Sequence, residues 1–249
     1  MPLLLLITLA HGEAAWAHPA DEFCNGDTGM DPALCRELAE LDRADTGPVP
    51  ATNELPRVEI DRPWHELAGL YLKLGYVHIL PRGLDHILFV LALFMASTRW
   101  RPLLLQVSVF TIAHTLTLAL AASGKLAVVP GIVEPLIAAS IAFVAIENLL
   151  FREMTRWRIF VVFGFGLFHG LGFAGVLRDL GLPDNQFLTA LISFNVGVEL
   201  GQISVLALAW ALLHRFFPRP GYRTWAVLPV SALIAVTGLW WALQRSLLL

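Results

Sequence analysis

From position 84 onward the chain alternates long apolar runs with short breaks rich in arginine, proline or glycine. The runs fall at 84–98, 102–122, 132–151, 159–177, 187–213 and 225–243. A helix needs about 20 mainly apolar residues to cross a bilayer, so the pattern predicts about six transmembrane helices. The first run is short, and the apolar approach over 67–80 either lengthens it, lies in the interface or re-enters.

Composition agrees with that pattern. The chain is 57% hydrophobic and only 15% charged, with a mean hydropathy of +0.67. The expected fold is an all-α polytopic membrane protein. A signal peptide is expected over 1–17, a short exported acidic segment over 18–65 and a six-helix domain over 66–249. Positions 3–10 are apolar but too short to span, and Ala15-Trp16-Ala17 carries the small-x-small pattern of a signal-peptidase site. The acidic segment holds both cysteines, Cys24 and Cys35. In an exported segment such a pair is expected to form a disulfide.

Basic residues set the orientation. Arg99 and Arg101, then Arg152, Arg156 and Arg158, then Arg215, Arg219 and Arg223 follow alternate runs. The opposite breaks hold only Arg82, Lys125 and Arg178, with Arg245 in the tail. The positive-inside rule places the richer set in the cytoplasm of a bacterial inner membrane, with both ends of the mature chain outside.

Against this background a few ionisable residues stand inside the runs: Asp85, His86, His114, Glu134, Glu147, His169 and Glu199, with Asn195 and Gln202 beside the last. Each charged group costs at least about 2.5–3.5 kcal/mol at the bilayer centre, so such residues are paired or used. Asp85 and His86 open the first run, with His78 just ahead across Pro81, a set suited to a site near the outer mouth. Asp85 alone is accounted for by a first helical turn, where the helix dipole favours an anion.

His114 and His169 each lie eight residues from the outer end of their runs, about 12 Å deep at 1.5 Å per residue. Two imidazoles at one level can converge on one ion, although membrane histidines also serve as interhelical hydrogen-bonding groups. Asn195, Glu199 and Gln202 share one helical face. Glu134 joins the outer cluster. Glu147 either pairs with Arg152 or Arg156 or marks an inner waypoint. The candidate metal set is therefore His78, Asp85, His86, His114, Glu134, His169, Asn195 and Glu199.

Ligand chemistry narrows the ion. No cysteine lies in any run and Met95 is the only methionine there, which serves copper(I) poorly. Imidazole with carboxylate and amide oxygen suits nickel, cobalt, zinc or iron(II), whereas calcium and magnesium prefer all-oxygen shells.

The motifs His78-Ile-Leu-Pro-Arg-Gly-Leu-Asp-His86, Phe110-Thr-Ile-Ala-His114, Val133-Glu-Pro-Leu-Ile-Ala-Ala-Ser140, Phe165-Gly-Leu-Phe-His-Gly-Leu-Gly-Phe173 and Phe194-Asn-Val-Gly-Val-Glu-Leu-Gly-Gln202, taken in order, resemble the HupE/UreJ family of bacterial membrane proteins. They look most like its second, broader branch. The resemblance implies metal transport connected with nickel supply to hydrogenase and urease, by analogy with nickel or cobalt permeases. It also implies that His78, Asp85 and His86 carry the family's His-x(n)-Asp-His motif. The first histidine stands one residue further from the glycine than in the better-known permeases.

Two functions are expected from these residues. The first is a permease for nickel, cobalt or zinc, with the lipid bilayer and the metal ion as partners and metalloenzyme-maturation or uptake proteins beside it. The alternative is an intramembrane zinc hydrolase, in which three histidines and an aspartate hold the metal and Glu199 or Glu134 acts as base. A metal site that merely staples helices is the third and plainest reading. No Walker loop, dinucleotide fingerprint or nucleic-acid-binding basic cluster is present.

Overall fold

The computed structural model describes residues 63–126, 129–173 and 186–247. The expected signal peptide and the acidic arm with Cys24 and Cys35 lie outside the described residues. Among the described residues seven α-helices follow in order: α1 (Trp64–Ile79), α2 (Leu84–Ala96), α3 (Trp100–Ala122), α4 (Pro130–Leu150), α5 (Arg158–Gly172), α6 (Phe187–Leu213) and α7 (Leu228–Leu247). A short 3-10 turn, His214–Phe216, extends α6, and a π-helical turn, Arg223–Val227, leads into α7.

Four of these are long and apolar enough to cross a membrane: α3, α4, α6 with its extension and α7 with its lead-in. A fifth span results if α1 and α2, which meet at 69°, are one broken span. The run at 159–177 is represented by α5. Its 15 residues reach about 22 Å, less than the roughly 30 Å hydrocarbon core. The apolar approach ahead of the first run is a full helix, α1, set against α2 by the break at 80–83. Pro81 removes a backbone donor there. A Cβ on Gly83 would collide with the carbonyl of His78, so the break closes only around glycine.

The solvent pattern is inverted, as a lipid-facing bundle requires. Ile112, Phe160, Leu188 and Val236 are among many large apolar side chains that point outward, while His114, Gln202, Ser231 and Arg158 are buried. Three helix pairs build the bundle, α1 with α6, α3 with α5 and α4 with α7. Small residues bring each pair into backbone contact, as membrane helices favour. In α1/α6, a Cβ on Gly75 would strike the carbonyl of Phe194, and one on Gly197 would strike that of Leu72. In α3/α5 a Cβ on Gly166 would stand 2.6 Å from the carbonyl oxygen of Phe110, and in α4/α7 one on Gly238 would stand 2.7 Å from Ala142 N.

Overpacking of a close seam costs about 1–3 kcal/mol. Gly75→Val is therefore expected to lower the thermal midpoint of the protein in detergent, because backbone cannot move aside as a flexible side chain does. An unchanged midpoint would show that α1 and α6 do not touch.

Candidate metal centre

The break between α1 and α2 places His78 on the last turn of α1 and His86 on the first turn of α2, and both face His114 in the middle of α3. All three are buried. Each offers one ligand atom such that these atoms all lie within 4.8 Å of one another. The rings of His78 and His86 are 4.8 Å apart, centroid to centroid, and that of His114 lies 6.4 and 6.0 Å from them. The sequence divides these residues into an outer mouth and a deeper pair. The fold instead joins His78 and His86 to His114 in one group.

Hydrogen-bond partners decide which nitrogen of His114 is available. Asn195 Nδ2 donates to the carbonyl of Leu191 at 2.8 Å, which fixes the amide so that Oδ1 faces His114 Nδ1 at 3.1 Å. An amide oxygen only accepts, so Nδ1 carries the proton and Nε2 keeps its lone pair. His114 Nε2 is buried and has no hydrogen-bond partner among the described residues. Asn195 thus orients the His114 ring, as partners behind metal-binding histidines do.

His169 is set by the same logic. Ser140 Oγ donates its single proton to the carbonyl of Ile137 at 2.7 Å and lies 3.0 Å from His169 Nε2. The hydroxyl must accept there, so Nε2 is protonated and Nδ1 bears the lone pair. That Nδ1 is buried with no hydrogen-bond partner among the described residues. The helix turns that carry His114 and His169 pack together, since a Cβ on Gly170 would strike the His114 carbonyl. His169 stands outside the mutual group of three. Its ring is 5.0 Å from that of His86, beside the group.

Aromatic rings enclose the group. Phe173 and Phe194 stack at 5.0 Å with 11° between planes, and Phe173 lies 4.1 Å from the His78 ring. Phe110 packs on His86, His114 and His169, with Phe89 beside His169. Such a dry shell limits water access and strengthens electrostatic binding at a metal.

The carboxylates are held elsewhere. Both oxygens of Asp85 lie against Arg245 Nη2, at 3.0 and 3.1 Å, and this pair is partly exposed. Glu134 is half-buried, and its backbone carbonyl receives Arg245 Nη1 at 3.4 Å. Glu199 accepts a hydrogen bond from Ser108 Oγ at 2.7 Å. Glu147 pairs with Arg158 at 3.2 Å, not with Arg152 or Arg156, and also receives the Thr155 hydroxyl. Arg158 further donates to Asn148 Oδ1 at 3.0 Å.

The sequence did not mark Ser140, Ser108 or Arg245 as partners. A hydroxyl inside an apolar run was the available signal for the two serines. Arg245 had none, because it lies 160 positions from Asp85.

A family model described as HupE / UreJ protein matches residues 54–245. No curated protein and no solved structure matches the chain. The family match begins ahead of α1 and runs into the last turn of α7, taking in every histidine and carboxylate described above. On that match, and on the helical bundle that carries it, the chain belongs to the HupE/UreJ family.

Proposed function

We propose that this protein is a permease for a divalent transition-metal ion, nickel or cobalt first and zinc next, with His78, His86 and His114 as its principal ligands. The observation that carries the reading is the buried group of three histidines whose ligand atoms lie within 4.8 Å of one another, with Asn195 fixing the tautomer of His114. Three imidazole nitrogens suit these ions and disfavour magnesium and calcium. Membership of a family associated with metal transport agrees. His169 stands beside the group as a fourth imidazole. Asp85, Glu134 and Glu199 supply negative charge around it, and Glu147 marks the inner end of the route.

The break between α1 and α2 has the character of discontinuous helices that line transporter sites. The arginine distribution argues for the bacterial inner membrane with both ends outside, and the acidic arm would then gather cations at the outer face. The hydrolase alternative lacks support, because the family to which the chain belongs is associated with metal transport.

The test is ion entry into liposomes carrying the purified protein. Saturable uptake of nickel or cobalt that excess magnesium does not suppress is expected. Equal competition by magnesium would overturn a histidine-based site.

A further inference from the structure

Polar groups continue along the seam between α3 and α6, inward of the histidines. His114 meets Asn195 at one level. Six residues back along α3 and four residues on along α6, Ser108 Oγ donates to Glu199 Oε1 at 2.7 Å. These contacts make the helices antiparallel neighbours and set the second contact about 6–9 Å from the first. The other carboxylate oxygen, Glu199 Oε2, is buried with no hydrogen-bond partner among the described residues.

One turn further along α6, Gln202 is fully buried, and neither its amide oxygen nor its amide nitrogen has a hydrogen-bond partner among the described residues. A glutamine placed for packing alone is a poor choice here. Leucine fills a similar volume, and each unpartnered buried polar group costs about 1–3 kcal/mol. Native structures keep few such groups without a reason.

We propose that Glu199 and Gln202, with Ser108 across the seam, form a second cation station: an oxygen-lined site for a partly hydrated divalent ion, inward of the histidine group. The proposal rests on the permease reading. The carboxylate supplies charge, the Gln202 amide oxygen and the Ser108 hydroxyl are neutral oxygen ligands, and the Gln202 amide nitrogen can donate to the oxygen of a coordinated water. Oxygen donors hold nickel and cobalt less tightly than imidazole does. A weaker site beyond a stronger one suits conduction, in which binding must permit release.

A cobalt titration of the full chain in lipid nanodiscs tests this, read by equilibrium dialysis for stoichiometry and by visible absorption for ligand type. Imidazole-bound cobalt in a low-symmetry site absorbs strongly, and hydrated, oxygen-bound cobalt absorbs weakly. Wild type is expected to take up one cobalt with the strong band and a second, more weakly held, without it. Glu199→Gln and Gln202→Leu should keep the band and lose the second ion, whereas His114→Ala should lose the band and keep the second ion. Gln202→Leu also removes an unpartnered amide, so it should melt no lower than wild type, which separates loss of the ion from loss of the fold. Unchanged second uptake in both seam variants, or loss of the band along with it, overturns the station. A wild type that shows only the banded step overturns the station alone. A wild type that binds no cobalt overturns the histidine site as well.

Discussion

Replacing His114 with alanine is expected to abolish the tightly held, imidazole-bound nickel or cobalt and to cut uptake by about a hundredfold or more. The magnitude follows from the neighbouring residue. Removing a partner that only orients a metal-bound histidine costs about 10–100-fold in affinity, and that is the loss expected for Asn195→Ala, which frees the ring that Asn195 Oδ1 holds. Removing the ligand itself must exceed it. Alanine in place of a buried imidazole also leaves the Asn195 oxygen without its donor, so some loss of stability accompanies the loss of binding. Equilibrium dialysis and liposome uptake, on protein shown to be inserted and helical, separate the two effects. If both variants bound and carried metal as wild type does, the histidines would be helix-joining groups and the permease reading would fail.

Arg158→Leu is expected to be the most damaging single change to the fold. Arg158 and Glu147 are buried, with side chains 2% and 4% exposed. Removing one member of such a pair costs about 3–5 kcal/mol, because the charge left behind has lost its compensation. Arg158 also supplies the donor to Asn148 Oδ1. Asn148 in turn donates to the carbonyl of Ala92 at 2.7 Å, and its own carbonyl receives Arg223 Nη2 at 2.9 Å. One substitution therefore loosens α2, α4, α5 and the approach to α7 together. The double variant Arg158→Leu with Glu147→Gln should recover most of the stability but not all, since Asn148 remains without its donor. Thermal unfolding in detergent reads both. Equal midpoints for the single and double variants would show that the stranded charge is not the source of the cost.

Most of the helices were legible because lipid demands long apolar segments, and runs of that length leave few alternatives. The helix α1 was the hardest to place. His65, Glu66 and Lys73 dilute its apolar character, and what holds it is backbone contact with α6 at Gly75 and Gly197, which no local pattern displays. The residue types at the site were legible for the same reason as the helices, since a histidine or carboxylate in an apolar run stands out. Their grouping was not. Depth along a helix put His114 and His169 at one level, but which ring turns to which neighbour depends on Ser140 and on the 69° break. His78 and His86 read as a mouth because the break's direction cannot be inferred from Pro81 and Gly83 alone. The pairing of Asp85 with Arg245 joins opposite ends of the domain, beyond the reach of any spacing rule.

The three helix pairs in backbone contact bear on how this bundle can move. Within a pair, sliding is blocked, because the carbonyl of one helix already occupies the space above the glycine of the other. Displacement is cheapest along the seams between pairs, where side chains meet side chains. The histidine group straddles one of those seams: His78 rides with α1/α6, and His114 with α3/α5. His86 belongs to α2, which is outside all three pairs. A shift of one pair against another by an ångström or two changes the spacing of the three imidazoles directly, so under the proposed permease function ion affinity and bundle geometry are a single mechanical variable.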